Sequence, residues 1–468
     1  MMNEEIQVNF KCLKCVCISL PTLFIVGCQS YKPSPLNIGD YRESYDARAV
    51  ELESLSEFAR ELHETHDNIP STFDANDGIS PEEGEVVALF FNPELRLSRL
   101  EAGVELAAFE HAGLWKDPLF GFDGIDITSP SAPFGFALTG SLTIPLSGRM
   151  NTEKEHASAV YAESVKTIIN EEWDTRANVR NAWASWVTAE EEVQLATDTL
   201  QTLEAIDLIA QSVHNAGEIN RVQYRLIDIE VKSKRVELAR LSLIAVNRKH
   251  ELLTLIGLPP SSGELLQKRS PIVMVPYIQD ATQRMIHANT ELAIKLAAYE
   301  RTETALQVEI KKQFPDIVLS GGYGSEFNDH RMLFGVSIPI PVLNANKKGI
   351  AIAKANREVA RADAETTFAR LYQELTAAYD SLELIKSQRL QFENDIIPLL
   401  DEQTKDIQTI AELGEVDTFV LLETTTKHYE AKMQLLELYL SSLQAANRVQ
   451  RLLGPHVQLQ PSPVGGSL

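Results

Sequence analysis

Short signatures recur along this chain at one fixed spacing, 289 − 92 = 197 residues, so whatever it folds into must be built twice. Asn92-Pro93-Glu94-Leu95 returns as Asn289-Thr290-Glu291-Leu292, Pro118 as Pro315, and Gly217-Glu218-Ile219 as Gly414-Glu415-Val416. Gly257 ahead of Pro259 returns as Gly454 ahead of Pro455. One register held from Asn92 to Gly257 is not chance. The period is far longer than the roughly 20–50 residues of a solenoid unit. It marks a duplicated half-domain, two copies in one body with a pseudo-two-fold relation. By length alone 468 residues could form three domains; the repeat favours one body.

The helices are the least ordinary elements. Between Gly148 and Gly217 lie 217 − 148 − 1 = 68 residues without Gly or Pro. At 1.5 Å rise this is roughly 100 Å of continuous helix. In the second copy the matching run covers 350–397, meets Pro398, where a kink is expected, and continues to Leu413. The return segments 218–256 and 415–453 also lack Gly and Pro. Helices far beyond about 25 residues imply coiled coil, membrane span or helical repeat. These are too charged for a membrane, so each copy holds a long antiparallel helical hairpin of coiled-coil type. Shorter helices are expected over about 46–66, 84–112 and 280–312.

Between the short and long helices each copy alternates. Phe134, Phe136, Leu138, Leu142 and Ile144 interleave with Gly135, Ala137, Thr139, Ser141 and Thr143. Met332, Phe334, Val336, Ile338 and Ile340 interleave with Leu333, Gly335, Ser337 and Pro339, and weaker strands precede over 119–127 and 317–323. Apolar residues on one face and small or polar ones on the other fit a transmembrane strand between lipid and a wet lumen. They fit equally a soluble hairpin half-buried against helices. Two hairpins make four strands, too few to close a barrel, and an open edge does not survive in hydrocarbon. If these strands enter a membrane, several copies share one barrel.

The net charge of −23 argues against nucleic acid as a partner and suits a solvated surface or a cation-attracting lumen. All four cysteines, Cys12, Cys15, Cys17 and Cys28, lie near the N-terminus. Lys11 and Lys14 followed by the mostly apolar run Cys15 to Val26 read as a signal peptide, too short to span a bilayer stably. It ends in Ile25-Val26-Gly27-Cys28, which resembles a bacterial lipobox whose Cys becomes an acylated N-terminus. Gln29 in place of Asp favours the outer membrane. Removal of the signal leaves Cys28 as the sole cysteine, so no disulfide forms within the mature chain.

Three local patterns resemble the TolC-type outer membrane factor family, and within it the CzcC-like, metal-efflux branch. One is Asn92-Pro93-Glu94-Leu95 leading through Ala112-Gly113-Leu114 to Pro118. Another is Gly335-Val336-Ser337-Ile338-Pro339-Ile340-Pro341-Val342-Leu343-Asn344 followed by Gly349-Ile350, and the third is the pair of Gly-Glu tips. The resemblance covers roughly 85–455. The first barrel exit, Ile144-Pro145-Leu146-Ser147-Gly148-Arg149, is less typical, and Gln201 stands where the second copy has Pro398. The resemblance implies a mostly α, α+β membrane protein. Long antiparallel helical hairpins form an α-barrel, and four transmembrane strands per protomer make a trimeric, 12-stranded β-barrel. It also implies a periplasmic adaptor (membrane fusion) protein, and through it an inner-membrane pump, with the RND type as candidate. Heavy-metal cations are the implied cargo; drug or protein export by the same architecture stands as an alternative, as does a non-conducting periplasmic scaffold.

The organisation expected is a signal peptide over 1–27, a lipid-anchored tether over 28–84, repeats over 85–260 and 261–455, and a disordered tail over 456–468. The strand hairpins lie at about 117–146 and 315–343, the helical tips at 214–220 and 411–418. No catalytic or cofactor set emerges. His63-Glu64-Thr65-His66 is one residue short of a zinc-protease spacing, and Gly321-Gly322-Tyr323-Gly324 lacks the Lys of a phosphate loop and sits in the strand pattern. Function is expected at Cys28 for the lipid, and at Gly217, Glu218, Gly414, Glu415 and Asp417 for adaptor docking. Glu412, Glu415 and Asp417 can place rings of carboxylate at a periplasmic aperture, which favour cations. Phe134, Phe136, Leu138, Phe334, Val336 and Ile338 are the expected lipid-facing set.

Overall fold

The computed structural model describes residues 30–48, 54–65, 73, 77–125, 134–273, 275, 280–326, 329–412 and 417–455. The signal segment with its four cysteines, Gly414, Glu415, His66 and the tail lie outside these residues. Residues up to Ala47 form one unit, which carries the exposed helix α1 (Ile38–Ala47); the rest form a second unit.

In the second unit α2 (Ser54–Thr65) and α3 (Pro81–Phe91) precede α4 (Pro93–Glu110), the strands β1 (Leu119–Ile125) and β2 (Gly135–Ile144), and the long pair α5 (Arg149–Asn215) and α6 (Arg221–Ile256). The series then repeats as α7 (Ala281–Ala288), α8 (Thr290–Lys311), β3 (Ile317–Glu326), β4 (Asp329–Ser337), α9 (Lys347–Gln391), a π-helical turn (Phe392–Ile396), α10 (Ile397–Glu412) and α11 (Thr418–Leu453). Segment 54–65 is no loose tether: Leu55, Phe58, Ala59 and Leu62 are buried with Val86, Val87, Leu89, Trp183, Leu252 and Ile256.

The two helices expected to run unbroken over 84–112 and 280–312 are each broken at an asparagine. Asn92 Oδ1 accepts from the N–H groups of Glu94 (2.9 Å) and Leu95 (3.0 Å), the bonds that cap a helix start. Its Nδ2 donates to the Leu255 carbonyl at 2.8 Å. Asn289 does the same one repeat later, accepting from Leu292 (2.8 Å) and donating to Leu452 (2.9 Å). The repeated glycines meet these breaks. Gly257 and Gly454 both have left-handed φ, at 76° and 73°, and a Cβ on either would collide with the carbonyl of Phe91 or Ala288. Arg48 and Arg284 donate to the carbonyls of Gly257 (2.9 Å) and Gly454 (3.0 Å). The Asn92/Asn289 and Gly257/Gly454 signatures therefore mark one junction, made twice, between the short helix and the end of the returning helix.

α5 is continuous for 67 residues. In the second copy the helix is disturbed one turn before Pro398: the chain passes through the π-helical turn and Pro398 becomes the second residue of α10. Proline cannot donate to the preceding turn, and one wider turn accommodates that loss. The four strands form one antiparallel sheet in the order β1-β2-β3-β4. β4 stops at Ser337, so Ile338 and Ile340 fall beyond it, because Pro339 and Pro341 have no N–H for a ladder. Among the described residues no helix is long and apolar enough to cross a membrane.

Candidate functional site

The register sorts the sheet into two chemically distinct faces. Phe136 pairs with Gly124 and Ser325, Leu138 with Phe122 and Tyr323, and Gly140 with Phe120 and Gly321. Tyr323 pairs in turn with Met332, Gly321 with Phe334 and Leu319 with Val336. Because side chains alternate along a strand, Phe120, Phe122, Phe136, Leu138, Leu319, Tyr323, Phe334 and Val336 share one face. Phe334 is 87% exposed and Val336 68%. Phe136 is half-buried beside Tyr323, ring centroids 6.2 Å apart. Phe134 is exposed just ahead of β2, and Ile338 lies past the end of β4. The opposite face is mostly small and polar, with Gly121, Asp123, Ala137, Thr139, Ser141, Ser320, Gly322 and Gly324, and carries Leu119 and Leu333 as exposed large apolar residues.

The sheet and the row of long helices both end in open edges. Among the described residues β1 and β4 each lack a second neighbour in the sheet. Among the long helices α5 packs on α6 and α11, and α11 on α9 and α10, leaving α6 and α9/α10 at the ends of the row. Large apolar side chains lie exposed on those end helices: Val222, Leu226, Ile229, Val236 and Leu243 on α6, and Ile352, Val359, Leu384, Leu399 and Ile410 on α9 and α10. The α6 set steps by four, three, seven and seven residues, the spacing of a coiled-coil seam.

At the first tip Gly217 has φ 82°, its N–H bonds the His214 carbonyl at 2.9 Å, and the Glu218 N–H bonds Val213 at 3.1 Å. This is a Schellman stop. Glu218 does not begin the return helix as expected. Asn220 does, because its Oδ1 accepts from Val222 (2.9 Å) and Gln223 (3.0 Å) while Gln223 Oε1 accepts from the Asn220 N–H; Glu218 lies in the exposed turn before it. At the second tip Asp417 caps α11, its Oδ1 accepting from Phe419 (2.9 Å) and Val420 (3.3 Å). Glu412 is the last residue of α10.

A buried ionic cluster went unseen in the sequence. Glu85 on α3 accepts from Arg176 Nε and Arg180 Nε, both at 2.6 Å, and all three side chains are buried. Burial pushes the Glu85 carboxyl up, but Arg180 and Arg176 outweigh it and hold its pKa below the ordinary value. Arg180 also donates to Asn447 (3.2 Å) and Gln450 (2.7 Å) on α11, so the cluster ties the first copy to the second. The visible signal was two arginines four residues apart on one helix face; their acid lies 91 and 95 positions away. Among the described residues no three His, Cys, Asp or Glu side chains are grouped to hold a metal ion, and His63 stands exposed at the end of α2.

No protein-family profile matches the chain. It is 23% identical over 323 residues to the cobalt-zinc-cadmium resistance protein CzcC of Cupriavidus metallidurans, a match spanning 68% of this chain and 77% of that protein. Among solved structures it resembles the CmeC outer membrane channel of Campylobacter jejuni, with a TM-score of 0.69 and 14% identity over 84% of this chain and 90% of that one. It also resembles the open state of the MtrE outer membrane channel of Neisseria gonorrhoeae, with a TM-score of 0.68 and 19% identity over 85% and 96% of the two chains.

Proposed function

We infer that this chain, which belongs to the TolC-type outer membrane factor family, is the outer-membrane exit duct of a tripartite efflux system. It is passive: a pump in the inner membrane supplies the work, and a periplasmic adaptor joins pump to duct. The observation that carries this reading is the pair of open edges. A sheet ending in free strands β1 and β4 cannot persist in hydrocarbon, and the helical layer ends in apolar seams on α6 and α9/α10. Identical copies satisfy both at once, β4 of one beside β1 of the next, and three copies give the twelve strands of a closed barrel. The apolar sheet face, with Phe134, Phe136, Leu138, Phe334 and Val336, then meets lipid, and the face of small and polar residues meets water.

The remaining assignments follow from that frame. The two structural repeats each supply a strand hairpin and a helical hairpin. Cys28 carries the acyl anchor, and the tips at Gly217, Glu218, Gly414, Glu415 and Asp417 receive the adaptor. Divalent metal cations are the cargo we assign, supported by the relative named for cobalt, zinc and cadmium resistance and by the net charge of −23. In a ring of copies Glu412, Glu415 and Asp417 line the periplasmic aperture and favour cations.

Planar-bilayer conductance of the purified protein, with its oligomeric mass, tests the duct. A trimer that conducts is expected; a monomer with no conductance, even with truncated tips, sinks the reading. Glu415→Gln with Asp417→Asn tests the aperture. Asn caps a helix as well as Asp does, so α11 keeps its start and only charge is removed. Cation selectivity is expected to fall, and an unchanged reversal potential removes the aperture role.

A further inference from the structure

We propose that the rim where the helices join the sheet is a binding surface for anionic phospholipid headgroups. The proposal rests on the reading of the sheet as membrane-embedded and adds which lipid it selects. The chain is strongly acidic, yet cations gather at this rim. Lys116 stands three residues ahead of β1, Lys311 closes α8 ahead of β3, and Lys347 and Lys348 open α9 after β4. Lys116, Lys347 and Lys348 are exposed, and none of the three is within ion-pair distance of a described carboxylate. Of the rim's acids, Glu153 and Asp316 are engaged by Arg149 and Glu309 by Lys312 and Asn346, while exposed Glu110 makes no ion pair among the described residues. Asp117, next to Lys116 in sequence, makes no ion pair with it.

A second observation is independent of the count of charges. The helices α3, α4 and α8 open with acids, Glu82 and Glu83, Glu94, and Glu291, the sign the helix dipole favours. The two helices that leave the sheet open instead on cations, as α6 does with Arg221 at the tip. α5 opens on Arg149 and α9 on Lys347 and Lys348, with no acid in either first turn. Arg149 is already held by Glu153 and Asp316; Lys347 and Lys348 face the dipole with no described carboxylate against them, and an anion outside the chain supplies that partner.

The surroundings identify that anion. Beside the lysines lie exposed Leu114 and Trp115, just ahead of Lys116, Phe314 between Lys311 and β3, and Ile340, Val342 and Leu343 between β4 and Lys347, with Leu343 93% exposed. A band of aliphatic and indole groups set among ammonium groups matches the interface of a leaflet, where acyl chains give way to phosphate. A soluble phosphate would have no use for the apolar band. The lipid is therefore an anionic phospholipid, with phosphatidylglycerol as probe.

The full-length protein is reconstituted into bilayers of phosphatidylcholine with and without phosphatidylglycerol, and the lipids retained on extraction are counted by native mass spectrometry. Wild type is expected to retain phosphatidylglycerol in preference. K116Q, K347Q and K348Q together are expected to weaken that retention by roughly five-fold per lysine, with oligomeric mass and conductance unchanged. K232Q, whose lysine already pairs with Asp228 on α6 at 2.6 Å, is expected to behave as wild type. Equal retention of both lipids by wild type, or undiminished phosphatidylglycerol on the triple variant, overturns the proposal while leaving the duct intact. So does loss of the oligomer in the triple variant, which makes the lysines contacts between copies, or full displacement by inorganic phosphate. A protein that enters neither bilayer overturns this proposal and the duct reading together.

Discussion

Glu85 carries the sharpest residue-level consequence, because its buried charge is enclosed with the guanidinium groups of Arg176 and Arg180. Removing one partner of a buried ionic group strands the others, at a cost of about 3–5 kcal/mol. Glu85→Gln is expected to lower the urea midpoint accordingly, and a loss under about 1 kcal/mol means the cluster is better hydrated than its burial implies. The pH dependence has a definite sign. The folded-state pKa is depressed, so the contribution is present above the unfolded value of about 4.3 and is lost as pH falls through the lower folded value. Wild type should therefore hold this term above about pH 4.3 and lose it progressively in stronger acid, and Glu85→Gln should flatten that limb of the stability curve. Asn92 and Asn289 belong to the same scale. Their recurrence was legible in the sequence, but their role was not, since each reaches a carbonyl 163 residues away.

At the scale of elements, what could be read from the sequence is what a local rule governs. Absence of Gly and Pro gave the long helices, and alternation gave β2 nearly to its ends. The return helices start three residues later than expected, at Arg221 and Thr418, because Asn220 and Asp417 are the caps. What the sequence concealed depends on contacts across the fold: the breaks at Asn92 and Asn289, and the buried Glu85. The π-helical turn is an intermediate case. Pro398 announced a disturbance without saying whether the helix would kink or widen, and here Tyr439 bonds Glu393 inside the turn while Arg389 lies 5.0 Å from the Tyr439 ring. Pro398→Gln installs the residue of the matching place in the first copy and restores a backbone donor. The turn is then expected to close to α-helix, slowing amide exchange over residues 392–402. Unchanged exchange there would mean that the Tyr439–Glu393 contact, and not the proline, holds the turn open.

For the whole molecule the decisive property is incompleteness. Among the described residues the interior helices α5 and α11 show few exposed large apolar side chains, Leu208 and Ile209 on one and Val420 and Tyr439 on the other, whereas α6 and α9/α10 carry rows of them. Burying each such side chain is worth about 1.5–3 kcal/mol, and a closed ring of three copies does so at three seams. Leu226→Lys with Val236→Lys puts two charges into every seam without touching the chain's own core, since both residues are exposed in the single chain. The circular dichroism of the variant should match wild type, while its mass in detergent falls to one chain and bilayer conductance disappears. Leu208→Lys is the control: Leu208 is 66% exposed but lies on an interior helix, so the oligomer should survive it. If instead Leu208→Lys dissolves the ring and the α6 pair leaves it whole, the order of helices around the channel is wrong. The seam that closes on a second copy must then be sought on α5, and the pairing of β4 with the next β1 would have to stand without a matching seam in the helices beneath it.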